Sequence, residues 1–158
     1  MSPLWSARVF LSRFMIDEST LIALDLGERR IGLAVSGPGG MALPAGHIVR
    51  SKLAQDVQQV IASAQERQAQ GIIVGIPYML QGETGDSAKL ARGFIRALRR
   101  ALGDDGSLAI YEMDERFTSV EAEGLLRESG VQPSRDRASV DEASAVLILQ
   151  RFLTSLGS

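Results

Sequence analysis

The chain of 158 residues contains no cysteine, one histidine and one tryptophan. Without cysteine it has neither a disulfide framework nor thiolate ligands for zinc, and a cytoplasmic location is expected. With His47 as the only histidine, the plentiful serines and threonines lack the usual base of a hydrolase triad. His47 itself falls in an expected strand, where a structural role is anticipated. Long apolar runs are missing too. Trp5, Val9, Phe10 and Phe14 make the first stretch apolar, but Arg8 and Arg13 interrupt it. It falls short of the ~18 residues that span a membrane, and the same charges spoil a signal-peptide core. Residues 1–19 are therefore expected to be an extension outside the core, with an amphipathic contact segment as the alternative. Residues 20–158 are expected to form one domain, since no low-complexity linker or repeat divides them.

Lysine is scarce: 15 of the 17 basic residues are arginine. Arginine suits bidentate contact with phosphate, although a GC-rich genome would give the same bias. A net charge of −2 argues against gripping nucleic acid by bulk charge and leaves only local patches.

What is present, at 45% hydrophobic residues, is a regular alternation of elements. The buried-strand run Leu21–Leu26, the turn Gly27-Glu28-Arg29, then Arg30–Ser36 and Met41–Val49 predict a three-stranded antiparallel meander. Ser51 is expected to cap a helix with core positions Leu53, Val57, Val60, Ile61 and Ala64. Gly71–Gly75 reads as a buried strand. Asp86 is expected to cap a helix whose core stripe is Ala91, Phe94, Ile95, Leu98 and Leu102. Its other side carries Arg92, Arg96, Arg99 and Arg100, either a solvated face or a nucleic-acid contact. Ser107–Glu112 supplies a fifth strand. Two capping boxes follow, Thr118–Glu121 and Ser139–Glu142, the second opening a final helix to about Leu153. Three antiparallel strands, then parallel strands, with helices between them describe an α/β protein of ribonuclease H-like type: a five-stranded mixed sheet flanked by helices.

Acids stand at the ends of these elements. Asp25 closes an apolar strand, where a carboxylate must be hydrogen-bonded, paired or bound to metal. In this topology the ends of the first and fourth strands lie side by side beneath the final helix, so Asp25, the Asp114-Glu115 pair and Asp141 should converge. Asp141 shares a helix face with Ala145, Ile148 and Phe152, which aims it at the sheet. The bland alternatives are a turn hydrogen bond for Asp25 and a first-turn dipole partner for Asp141. Carboxylates this close repel, and a divalent cation relieves them. Oxygen-only donors favour Mg²⁺ or Mn²⁺. Two such ions ~3.5–4 Å apart can drive phosphodiester hydrolysis. Neighbouring strand residues point to opposite faces, so the register decides between Asp114 and Glu115.

At these residues the sequence resembles the YqgF family, also called RuvX. The match runs through Leu24–Ser36, Val74–Pro77 with Gly82, Asp114–Ala122 and Val140–Ala145. Members are described as Holliday junction resolvases or pre-16S rRNA nucleases. The resemblance implies an endonuclease of structured nucleic acid that binds metal through Asp25, Glu115 and Asp141. The substrate would be pre-16S rRNA or branched DNA, and a resolvase would act as a homodimer. A non-catalytic nucleic-acid-binding module on the same fold is the alternative. Arg29 and Arg30 on the first turn, Arg116 beside the acid, and Arg92 and Arg96 are the candidate nucleic-acid contacts. Arg116 could instead pair with Asp114. Tyr78, in the loop after Pro77, could stack on a base or pack beneath the loop.

Overall fold

The computed structural model describes residues 20–77, 85–103, 108–114, 127–128 and 137–157. Five strands form one sheet in the order β3-β2-β1-β4-β5. They are β1 (Leu21–Leu26), β2 (Arg30–Gly37), β3 (Met41–Val49), β4 (Gly71–Ile76) and β5 (Ala109–Asp114). β1, β2 and β3 pair antiparallel, whereas β1–β4 and β4–β5 pair parallel. Helix α1 (Leu53–Glu66) connects β3 to β4, α2 (Asp86–Leu102) lies between β4 and β5, and α3 (Arg137–Gly157) follows. The mixed sheet and the three described helices are among those the sequence predicts.

Side-chain alternation sorts the core into two layers. On one face Ile22, Leu24, Ile72 and Val74 pack with Val57, Val60 and Ile61 of α1 and Phe94, Ile95 and Leu98 of α2. On the other, Leu21, Ala23, Ala34 and Ile73 receive Ala145, Ile148, Leu149 and Phe152 of α3. The small residues Ala23 and Ala34 let α3 lie close to the strands. The Phe152 ring meets Tyr111 of β5 at a centroid distance of 5.1 Å.

Several local expectations change. Ser51 does not cap α1. The N-cap is Lys52, with no side-chain bond, and the Ser51 N–H and Oγ instead donate to the carboxylate of buried Asp56. Leu53 is 48% exposed, because the helix turns its first residue outward. Asp86 is the first residue of α2 and Gly85 its N-cap, again without a side-chain bond. The helix stops at Gly103, whose φ of +64° belongs to glycine. β5 runs two residues beyond Glu112, to Asp114. α3 starts at Arg137, so Ser139 and Asp141 sit inside the helix and Ser139 is no cap. The capping box at residues 118–121 lies outside the described residues, as do residues 1–19, Tyr78, Glu115 and Arg116.

β3 carries one irregularity. Gly32 pairs with His47 but Ala34 pairs with Pro44, so Ala45 and Gly46 together oppose Leu33. This is a bulge, and Gly46 takes a φ of +88° within it. The inserted residue shifts β3 by one place and puts His47, in place of Gly46, across from Gly32.

Candidate active site

Asp25 is the fifth residue of β1. Leu21 and Ala23 point toward α3, so the alternation turns Asp25 the same way, and it is only 8% exposed. Its partner across the ladder is Gly32 of β2. Gly32 lies beneath Asp141: a Cβ added there would stand 3.0 Å from the Asp141 Cβ and would collide with that residue's carbonyl. A Cβ on Gly27 would likewise lie 3.7 Å from Asp141 Oδ1. The carboxylate of Asp141 therefore reaches the end of β1, beside the strand position that carries Asp25. Two acids from distant parts of the sequence share one corner of the sheet.

Asp141 is the fifth residue of a helix that begins at Arg137, beyond the first turn where a helix dipole acts most strongly. The dipole therefore gives little account of it. Its side chain is 17% exposed, and its Oδ2 lies 3.6 Å from Nη1 of Arg30, the first residue of β2. Arg29, next in the turn, is exposed. One turn further along α3, Ser144 is fully buried, and its Oγ has no hydrogen-bond partner among the described residues.

The strand bearing the third acid lies further off than expected. β1 and β4 do end side by side, but Asp114 is on β5, with β4 in between, roughly 10 Å from β1 at ordinary strand spacing. Asp114 also faces away. Tyr111 and Met113 pack on the α3 side, whereas Ile110 joins the α1/α2 layer, and Asp114 falls in that second alternation. Arg92 of α2 follows the same logic, meeting Glu112 at 3.6 Å on that face. Arg92 and Arg96 thus belong to the layer opposite Asp141, and Arg96 is exposed.

His47 stands nearer the acids than its place in the sequence suggests. The bulge at Gly46 sets it in one row with Gly32 and Asp25, and its Nδ1 lies 3.8 Å from Oε1 of Glu142, the residue after Asp141. Nothing in the hydrophobic pattern announces that bulge.

Among the described residues, no three His, Cys, Asp or Glu side chains group closely enough to hold a metal ion. Asp25 and Asp141 supply two oxygen donors, and the chemistry suits a hard divalent cation. The missing Cβ of Gly32 leaves the space that the Asp141 backbone fills, which lets its carboxylate reach the end of β1. The residues present therefore fit such a cation, with Arg30 offsetting part of the charge beside Asp141.

Comparison with known proteins first defines the class. The fold matches Thermus thermophilus RuvC solved with a Holliday junction substrate, at a TM-score of 0.56 and 14% identity, over 87% of this chain and 94% of that one. It also matches the yeast mitochondrial Holliday junction resolvase Ydc2, at a TM-score of 0.53 and 12% identity, over 99% of this chain and 90% of that one. The fold is the ribonuclease H-like one that these structures share.

Within that class the chain belongs to the RuvX family, described as Holliday junction resolvase, whose model matches residues 19–155. Relatives named "Putative pre-16S rRNA nuclease" include one from Synechococcus elongatus, 40% identical over 84% of this chain and 87% of its own length. Another, from Rhodococcus erythropolis, is 42% identical over 84% of this chain and 76% of its own. The chain is a phosphodiester-hydrolysing endonuclease acting on nucleic acid. Among the described residues, no helix is long and apolar enough to cross a membrane.

Proposed function

We propose that this endonuclease is metal-dependent, works in the cytoplasm and trims the 5′ end of pre-16S rRNA, with Asp25, Glu115 and Asp141 as its catalytic, metal-binding acids. The observation that carries the reading is the approach of Asp141 to Gly27 and Gly32, beside Asp25. Asp114 faces the α1/α2 layer, which leaves Glu115 as the acid proposed for the third place. When bound, Mg²⁺ or Mn²⁺, most simply a pair of ions, supplies acidity for a water nucleophile and charge for the leaving oxygen.

The chain's own side chains would do the rest. Asp25 and Asp141 would hold their oxygens at a corner that α3 reaches because Gly32 has no side chain. Arg30, beside Asp141, and Arg29, exposed on the same turn, would receive substrate phosphates, with Arg116 as a further contact. Arg92 and Arg96 would be reached only by a substrate extending past the sheet to its other face.

The choice of pre-16S rRNA follows the names of the relatives, which match across most of the chain. Branched DNA is the second reading, favoured by the family's description and by the fold shared with RuvC and Ydc2. Paired cuts in a junction would call for a homodimer.

End-labelled pre-16S rRNA fragments, linear RNA and a four-way DNA junction, each incubated with Mn²⁺ or EDTA, test the proposal against Asp25→Asn. Cleavage of the rRNA fragment that needs metal and disappears in the variant is expected. Cleavage of the junction alone would transfer the assignment to resolution. Binding without cleavage on every substrate would overturn the catalytic reading.

A further inference from the structure

Outside the acids, a dense polar construction among the described residues surrounds Arg50, which follows β3. Its N–H donates to the carbonyl of Arg29 at 2.8 Å, and its Nη1 donates to the carbonyl of Gly27 at 3.0 Å. Its Nε donates to Oδ2 of Asp56 at 3.3 Å, and its guanidinium lies 5.8 Å from the centre of the Phe94 ring. Asp56 is buried among the core positions of α1, its side chain 1% exposed, with Ser51 on its other oxygen. One arginine thus joins α1 and α2 on one face of the sheet to the β1–β2 turn at its end.

That turn is the segment on which the corner depends. It follows Asp25 and ends at Arg30, which meets Asp141. It is also tight: the Gly27 N–H donates to the Arg30 carbonyl at 2.9 Å, and a Cβ at Gly27 would lie 2.8 Å from the same oxygen. Arg50 takes two carbonyls of this turn, those of Gly27 and Arg29. Only a planar guanidinium can donate to the turn and to Asp56 in fixed, separate directions; a lysine ammonium is a single point charge. A buried ion pair gives little net stability over apolar packing, so what Asp56 adds is the direction of that guanidinium.

We propose that Arg50, aimed by Asp56, is a positioning residue that holds the β1–β2 turn in the geometry that brings Asp25 and Arg30 to Asp141. This inference rests on the metal-site reading, in which these acids bind the cation. Asp56 and Arg50 then stand to the site as outer partners stand to metal ligands, where substitution typically costs ~10–100-fold in metal affinity or activity.

The test uses the full chain as Arg50→Met, Arg50→Lys and Asp56→Asn, with Val60→Ala as a core variant that weakens α1 without touching the turn. Hydrogen exchange of the segment 25–30, Mn²⁺ binding by calorimetry, and kcat and KM for cleavage are measured on each. In both Arg50 variants, exchange of segment 25–30 is expected to quicken at least about tenfold relative to β4. Mn²⁺ affinity should fall ~10–100-fold and kcat should fall with KM little changed. Asp56→Asn should follow in the same direction, and Val60→Ala should show none of these effects. Arg50→Lys keeps a charge beside Asp56, so it supplies the reading if Arg50→Met does not fold. Unchanged exchange of the turn, or changes that track lost stability equally in Val60→Ala, would overturn the proposal. So would a loosened turn with wild-type Mn²⁺ affinity and kcat. Asp25→Asn, measured alongside, separates the two claims. If it binds Mn²⁺ as the wild type does, the metal-site reading falls, and the exchange data still decide whether Arg50 holds the turn.

Discussion

Gly32 and Asp141 meet backbone to backbone: helix α3 crosses strand β2 where the strand has no side chain, and a Cβ there would collide with the Asp141 carbonyl. The contact sets how far the second acid descends toward the sheet. It also couples the packing of α3 to the chemistry proposed for the corner.

Gly32→Ala should therefore harm both. Forced overpacking typically costs ~1–3 kcal/mol, and an obstacle made of backbone puts this case at the upper end. Urea denaturation should show that loss, and cleavage should fall further than the remaining folded fraction explains, because Asp141 is lifted from its place.

Asp25→Asn and Asp141→Asn should leave the fold intact in EDTA, since each removes one of two neighbouring carboxylates. The difference should emerge with metal. A ligand at a hundred times its Kd stabilises the native state by ~2.7 kcal/mol, so Mn²⁺ should raise the Tm of the wild type. Neither variant should show that rise, and thermal melts with Mn²⁺ or EDTA read it directly.

Asp56→Ala should be among the most destabilising polar substitutions in the chain. It would leave Arg50 over the core without its partner and the Ser51 N–H without its acceptor. Breaking a buried pair from one side costs ~3–5 kcal/mol. Arg30→Met, by contrast, removes an ion pair that is 28% exposed on the arginine side and should change stability by no more than ~1 kcal/mol. Chemical denaturation of the two variants compares them.

Salt dependence should sort the arginines. Each phosphate contact that is lost lowers the slope of log affinity against log salt by ~1. Arg29→Ala should do so with a short RNA hairpin and with a long substrate alike. Arg96→Ala, on the opposite layer, should do so only with a substrate long enough to pass the sheet edge.

Much of the fold was legible in the residues, for reasons that differ from element to element. β1, β3 and β4 are buried or paired along their length, so apolar runs and turn glycines marked them to within a residue. The face of α3 was legible because Ala145, Ile148 and Phe152 recur at helical spacing, and all three are buried. Helix starts were not. Ser51, Asp86 and Ser139 each have the chemistry of a cap, yet none caps: Asp56 takes the Ser51 donors, Gly85 precedes Asp86, and α3 begins before Ser139. Asp56 went unnoticed because its partner Arg50 lies beyond the helix and nothing in a local window pairs them. His47 escaped because its face depends on the bulge at Gly46, and one inserted residue reverses the pleat. Asp114 could be told from Glu115 only by knowing where β5 ends, and the strand outran its apolar stretch.

The crossing of α3 over β2 also carries a temporal meaning. Synthesis runs from the N-terminus, and a chain that has emerged only through β5 holds the residues of the sheet and Asp25 but no helix to lay across Gly32. Such a nascent chain bears only one acid of the pair proposed to hold the metal. On the proposal that Asp25 and Asp141 act together, the site is completed only when α3 docks, after every strand of the sheet has left the ribosome.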